Sequence, residues 1–467
     1  MSLTWGEVLD TLLRVVETWP GRADLKRVCV VRDLQGRIRL AVRPAEGKAP
    51  NSAGLEQELA TNLGSWFAGP VLWTSAPSAQ EQRRLAQNLI DKLQAKWPAG
   101  WPTAWTDVTR GHHPVTTGEN GLWCGEQRAR TKDIWIHEGP VKPPWPLHPK
   151  TPAIVSFYSY KGGVGRTTTL GIVARQLARL GHHVAVLDLD LEAPGLGRFF
   201  NIETARGILD LLAIHAATGK IDFEEPELYS ATLEEDKGKI TVYPVGPMDW
   251  NYVERLACLD YAPRANAEPS AVEAALRAIL NDVKRRVKPD YIFLDARAGL
   301  HDLGGLSLHA LAHVDVLIGR AGRATLDGFK LVLETLARRR RDQDLRVVVV
   351  QSFVPLPVTG EEHVRIRDAW ALALHDVFTP TFYERMYAQQ GEDLPEVSDQ
   401  AAMHYPWVIP QYDSIGRVDR IQDIDKTVLD GEPYTALRAR IVERCARSSI
   451  TSTDVDEEPG DGSEISG

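Results

Sequence analysis

The chain has 467 residues, 43% of them apolar, and its 63 acidic against 54 basic side chains leave a formal charge of −9. That is enough chain for two domains or one large core with additions. No run approaches the ~20 apolar residues of a membrane span, and Met1-Ser-Leu-Thr-Trp5 lacks the basic-then-apolar layout of a secretory leader, so a cytoplasmic protein is expected.

Ten of the thirteen tryptophans fall within the first 145 residues, which sets that region apart in composition. Residues 27–33 and 37–42 alternate as two strands around Leu-Gln-Gly, the pattern of a β-hairpin, and residues 81–96 carry helical periodicity. A small α+β domain over residues 1–145 is predicted, a surface for a protein partner. Residues 139–149 hold five prolines and can form neither a helix nor a central strand, so they read as a linker.

From Thr151 the chain alternates apolar strands with helices, as a parallel sheet covered on both faces requires. The expected strands are 153–157, 184–188, 239–243, 291–295, 314–318 and 346–350. A helix at 363–377, an irregular stretch to His404, the apolar tetrapeptide 407–410 and a helix near 433–447 follow. Residues 448–467 are polar and hold six acids with no base, so disorder is expected there. Without that tail the charge falls from −9 to −3, which decides little about nucleic acid. Cys29, Cys124, Cys258 and Cys445 are too far apart for a zinc pair or a disulfide framework.

The strand at 153–157 runs directly into Ser159-Tyr160-Lys161-Gly162-Gly163-Val164-Gly165-Arg166-Thr167-Thr168-Thr169 and then a helix. Glycines there let the chain turn with its N–H groups inward, and the helix adds its positive end, which makes a phosphate site. Asp188 and Asp190 end the next strand and fall on one side of it, because they are two residues apart. Asp295 ends the strand 291–295 in the manner of a Walker B acid, delivered to the carboxyl edge of the sheet, and Arg297 and Gly299 follow it.

Three further features remain. Arg338-Arg-Arg-Arg341 ends a helix, where cations complement the dipole, and reads as a solvated end rather than a nucleic-acid patch. His309 and His313 have the four-residue spacing of metal ligands but no third ligand, so they read as structural. Gln351 and Ser352 follow the strand at 346–350, and Ile409-Pro-Gln-Tyr-Asp413 forms a second loop. Both read as ordinary strand-end turns or, as a resemblance to nucleotide-binding relatives implies, as contacts to a base.

The loop resembles the KGGVGKTT signature of the ParA/MinD (SIMIBI) class of ATPases with one Lys-to-Arg change. It is most similar to a bacterial subgroup carrying KGGVGR-T-T followed by D-x-D-L-E-A-P-G-L. The resemblance covers about residues 150–440 and implies an α/β fold with a mostly parallel sheet, helices on both faces and ATP with Mg²⁺ as ligands. It implies that Gly162, Gly163, Val164, Gly165, Arg166, Thr167, Thr168, Gly299 and Gln351 contact the nucleotide. Thr167, Asp188 and Asp295 would serve the metal, Gly299 as a γ-phosphate sensor, and Lys161, Arg166 and Asp190 catalysis, Asp190 by polarising water.

The family arrangement further implies an ATP-dependent homodimer in which each Lys161 reaches the other subunit's phosphates. Arg166 keeps the charge but is bulkier than an ammonium, so slow hydrolysis is expected. The reading is a dimer switch over residues 150–447 that signals to a partner through residues 1–145. Competing readings are a non-hydrolysing nucleotide-sensing scaffold, a nucleic-acid-dependent partition ATPase, and a P-loop tyrosine kinase, whose tyrosine-rich tail is missing here. Membrane attachment of the MinD kind would need a basic amphipathic C-terminal helix and is not expected.

Overall fold

The computed structural model describes residues 5–32, 37–45, 53–73, 122–126, 133–136, 141–218, 221, 225–257, 259, 261, 269–340, 345–388, 393–415 and 419–446. The expected helix at 81–96 and the acidic tail lie outside the described residues.

In the N-terminal region β1 (Leu25–Arg32) and β2 (Ile38–Pro44) pair antiparallel, Val28 opposite Val42 and Val30 opposite Leu40. This is the predicted hairpin. β3 (Leu72–Trp73) and β4 (Leu122–Glu126) add as parallel neighbours, giving the order β3-β2-β1-β4. The helices Trp5–Thr18 and Ala53–Leu63 bury Val8, Leu12, Val16, Leu55 and Leu59 against Val28, Val30 and Leu40. The strand residues involved alternate in sequence, as residues on one face of a sheet must.

The larger sheet comprises β5 (Ala153–Tyr158), β6 (His183–Leu189), β7 (Ala231–Glu234), β8 (Lys239–Tyr243), β9 (Tyr291–Ala296), β10 (Val314–Arg320), β11 (Val347–Val354) and β12 (Trp407–Pro410). Its order is β12-β11-β10-β5-β9-β6-β8-β7, and all neighbours run parallel except the edge pair β7 and β8. β5 alternates between two cores. Ile154 and Tyr158 face helices Ile208–Thr218, Ala271–Arg286, Arg323–Arg339 and Glu361–Phe378, whereas Val155 and Phe157 face helices Arg166–Arg179 and Glu432–Arg444. Both faces of the sheet are covered, which explains why its central strands read as continuous apolar runs.

Two features depart from the sequence reading. Trp135 and Trp145 are buried in the core of the larger sheet, although composition groups them with the N-terminal region and its linker. The Trp135 indole donates to the His301 carbonyl and that of Trp145 to the Pro152 carbonyl, each at 2.9 Å. The second departure is the arginine run. Arg339 and Arg340 are buried, and Arg340 pairs with Asp315 of β10 at 3.0 Å. Arg340 also donates to the carbonyls of Leu308 and Ala312, so it braces the turn before β10 instead of standing in solvent. Arg338 is exposed, and Arg341 lies outside the described residues.

The two histidines are structural, as expected. His313 accepts from the Ile154 N–H through Nδ1 at 2.9 Å and donates from Nε2 to the Trp145 carbonyl at 2.8 Å. His309 is fully buried edge-on to Trp135, and burial, aided by Arg339 and Arg340, holds its pKa well below the ordinary value.

Candidate nucleotide site

The site forms where β5, β9 and β6 end side by side. Phe157, Asp295 and Asp188 occupy matching register positions across these strands, so the two carboxylates stand next to each other at the carboxyl edge. In open parallel sheets this edge is where ligands bind.

The loop after β5 turns through glycines in the left-handed region, Gly163 at φ 69° and Gly165 at φ 78°. A Cβ at Gly163 would meet no atom, so backbone conformation rather than space demands glycine there. Gly165 caps the helix Arg166–Arg179 and lies against the Phe353 ring, which a Cβ at Gly165 would meet at 3.3 Å. Lys161, Gly162 and Gly163 are exposed, whereas Val164 is buried beneath the loop.

Arg166 opens the helix and turns toward the acidic strand ends. Its Nε donates to Asp295 Oδ1 at 2.5 Å and its Nη2 to Asp190 Oδ2 at 2.8 Å. Burial works against its charge, but Asp295 and Asp190 outweigh that and raise its pKa, so it stays a cation. Thr167 donates its hydroxyl to the other Asp295 oxygen at 2.6 Å. Asp188 is fully buried and accepts the N–H groups of Asp190, Gly195 and Leu196 at 3.0 to 3.3 Å. Burial, then the neighbouring Asp295, pushes the Asp188 carboxyl up to about 7. A cation on this edge would relieve that repulsion.

The structure thus brings Arg166, Thr167, Asp190 and Asp295 into direct contact, with Asp188 bonded to the Asp190 N–H and in register with Asp295. Thr168, half-buried, follows on the same helix turn. Gly299 sits at φ 73° with its N–H on the Ser159 carbonyl at 3.0 Å and its own carbonyl accepting from the Tyr158 hydroxyl at 3.0 Å. Its amide is therefore occupied within the protein. Gln351 is buried on β11, opposite Gly319 and Val408, and no hydrogen bond joins it to the phosphate loop among the described contacts. Its side-chain oxygen has no partner there. The loop 410–413 borders a recess of about 400 Å³, lined by Pro355, Leu356, Gln411, Tyr412, Asp413 and Ser414.

Several contacts here carried no local signal in the sequence. Phe353, at φ 56°, lies between Gly165 and the Arg320 guanidinium, which sits 4.1 Å over its ring. Glu192 and His301 meet at 3.0 Å although 109 residues separate them, and Arg297 bridges Asp190 and Glu192.

Residues 150–221 match the ParA family model, described as NUBPL iron-transfer P-loop NTPase. Among curated proteins, an iron-sulfur cluster carrier protein of Clostridium perfringens is 40% identical over 70 residues, 15% of this chain and 24% of that one. The chloroplastic homologue of septum site-determining protein minD from Arabidopsis thaliana is 29% identical over 171 residues, 36% of this chain and 45% of that protein. The chain thus spans less than half the length of each of these relatives. Among solved structures, the cell division ATPase MinD of Pyrococcus furiosus aligns over 62% of this chain and 98% of its own, at 18% identity and a TM-score of 0.39. Apo McdA of Cyanthece aligns over 62% and 99%, at 16% identity and a TM-score of 0.43.

Proposed function

Because the chain is a ParA/MinD-type P-loop NTPase, we propose that it binds ATP with Mg²⁺, hydrolyses it slowly, and uses the nucleotide to control self-association and contact with a protein partner. The observation that carries this reading is the meeting of Arg166, Thr167, Asp190 and Asp295 at one strand edge beneath a glycine loop. A polyphosphate lying in the loop would take the N–H groups of residues 162–168 and draw the Arg166 guanidinium from its carboxylates. Base contacts fall to the 410–413 loop and to Gln351.

The donor set at the edge is the Thr167 hydroxyl with the carboxylates of Asp188 and Asp295, all hard oxygens, which suits Mg²⁺. When bound, Mg²⁺ neutralises charge on the phosphate oxygens. The protein's own contribution is orientation. Asp190 aligns the attacking water, whose oxygen bonds to the γ-phosphorus as the bond to the bridging oxygen breaks. ADP departs with that electron pair, and the water's proton passes by way of Asp190 to phosphate oxygen. Lys161, exposed on the loop, would reach the phosphates of a facing subunit.

A second reading is a nucleotide-sensing scaffold that does not hydrolyse. It is favoured by the ion pairs that Arg166 and Arg297 make with Asp190, which occupy both oxygens of the carboxylate meant to orient water. Cluster carriage of the kind named for the Clostridium relative finds no support in the cysteines, since no two lie in a C-x-x-C pair. No described helix is long and apolar enough to cross a membrane.

The test is to measure Mg²⁺-dependent ATP binding by calorimetry, phosphate release, and mass by light scattering with ATP, ADP and no nucleotide. Tight binding with turnover and an ATP-specific increase in mass is expected. Binding without turnover would favour the scaffold, and no binding at all would defeat both readings.

A further inference from the structure

Asp190 is held by two arginines with different obligations. Arg166 Nη2 donates to Oδ2 at 2.8 Å, and Arg297 Nη1 donates to Oδ1 at 2.6 Å. Arg166 belongs to the phosphate loop and is the side chain that an entering polyphosphate would claim. Arg297 is braced elsewhere. Its Nη2 donates to Glu192 at 2.7 Å, and the other Glu192 oxygen meets His301 Nε2 at 3.0 Å. The turn that carries Arg297 is pinned to the end of β5 through the Gly299 contacts with Ser159 and Tyr158.

We propose that Arg297 is the positioning residue for Asp190. When phosphate draws Arg166 away, Oδ1 remains anchored by Arg297 and Oδ2 is released facing the site, free to accept from the attacking water. An unanchored aspartate would rotate among rotamers. A charge-assisted bond on one oxygen, itself braced by Glu192 and His301, fixes the direction of the other. The inference rests on the reading of Asp190 as the water-orienting group. It adds that the ion pair hindering Asp190 through Arg166 and the one aiming it through Arg297 are separate parts of the device.

The experiment uses the full chain as wild type, Arg297→Ala, Arg297→Lys, Asp190→Ala and the Arg297→Ala/Asp190→Ala double variant. Steady-state turnover is set beside the calorimetric affinity for AMPPNP with Mg²⁺, which also reports whether each variant is folded. Arg297→Ala should lose about 10²-fold in kcat, the scale of a misplaced catalytic group, with AMPPNP affinity unchanged. Arg297→Lys, which retains one donor for Oδ1, should recover most of that loss.

In the Asp190→Ala background the Arg297→Ala change should cost nothing further, because the two act as a unit. An equal fractional loss in both backgrounds would make Arg297 an independent brace and overturn the inference. So would wild-type turnover in Arg297→Ala beside an inactive Asp190→Ala, which leaves the ATPase reading standing. Absence of hydrolysis in the wild type would overturn both.

Discussion

Replacing Arg166 with lysine should weaken the nucleotide-free fold and tighten nucleotide binding. Arg166 spans two carboxylates, Asp295 at 2.5 Å and Asp190 at 2.8 Å, with its side chain only 9% exposed. A lysine ammonium is a single point and serves one of them at a time. A hydrogen bond to a charged group contributes about 1.5–3 kcal/mol, so losing one destabilises the empty protein by about that amount. A polyphosphate claiming residue 166 breaks two such bonds in the wild type and one in the variant. Lysine returns fewer bonds to phosphate than arginine does, which offsets part of the difference and leaves a net gain of about tenfold in affinity, or ~1.4 kcal/mol. Urea unfolding without nucleotide should give a lower midpoint at unchanged slope, and calorimetry with AMPPNP and Mg²⁺ should give the tighter binding. An unchanged midpoint, or weaker binding than wild type, would refute the view that Arg166 must leave its carboxylates for the nucleotide to enter.

Lys161→Ala should still bind ATP, since Lys161 is exposed on the loop, but lose ATP-dependent dimerisation and turnover; a variant with both intact by light scattering and phosphate release contradicts a homodimer in which Lys161 reaches the other subunit's phosphates. Asp190→Ala should bind ATP, accumulate as dimer and lose ~10²-fold or more in turnover, the range for a positioned proton-transfer group, whereas Asp188→Ala should weaken the Mg²⁺-dependent part of binding, separable by calorimetry with and without the metal. Asp315→Ala should destabilise the fold by about 3–5 kcal/mol in urea, because it leaves the buried Arg340 unpaired, and replacing both with apolar residues of similar size should recover most of it.

The central strands were legible because each is an apolar run buried on both faces, as in Tyr291–Ala296. β7 was not, since Ala231–Glu234 lies at the sheet edge with no fully buried residue and offers no such run. In the site, Asp188, Asp190 and Asp295 were legible from their order after the glycine loop. The Arg297–Glu192–His301 linkage was not, because it joins residues more than a hundred apart in sequence, beyond any local spacing rule. The arginine run misled for a related reason. Four like charges read as a solvated end, yet Asp315, a lone acid inside the apolar Val-Asp-Val-Leu-Ile, was a signal that a buried cation sits opposite.

The burial of Trp135 and Trp145 bears on how such a protein can be assembled from modules over evolution. The proline-rich stretch looks like a natural seam, but an exchange at that point would leave these two indoles behind with the wrong half. The nucleotide-binding half would inherit holes beside Gly305, His309 and His313, and the His301 carbonyl, which belongs to the turn following β9, would lose its indole donor. A lineage that swaps the front module and keeps a working P-loop should therefore carry its junction upstream of Asp133, and the tryptophan pair should travel with the loop it supports.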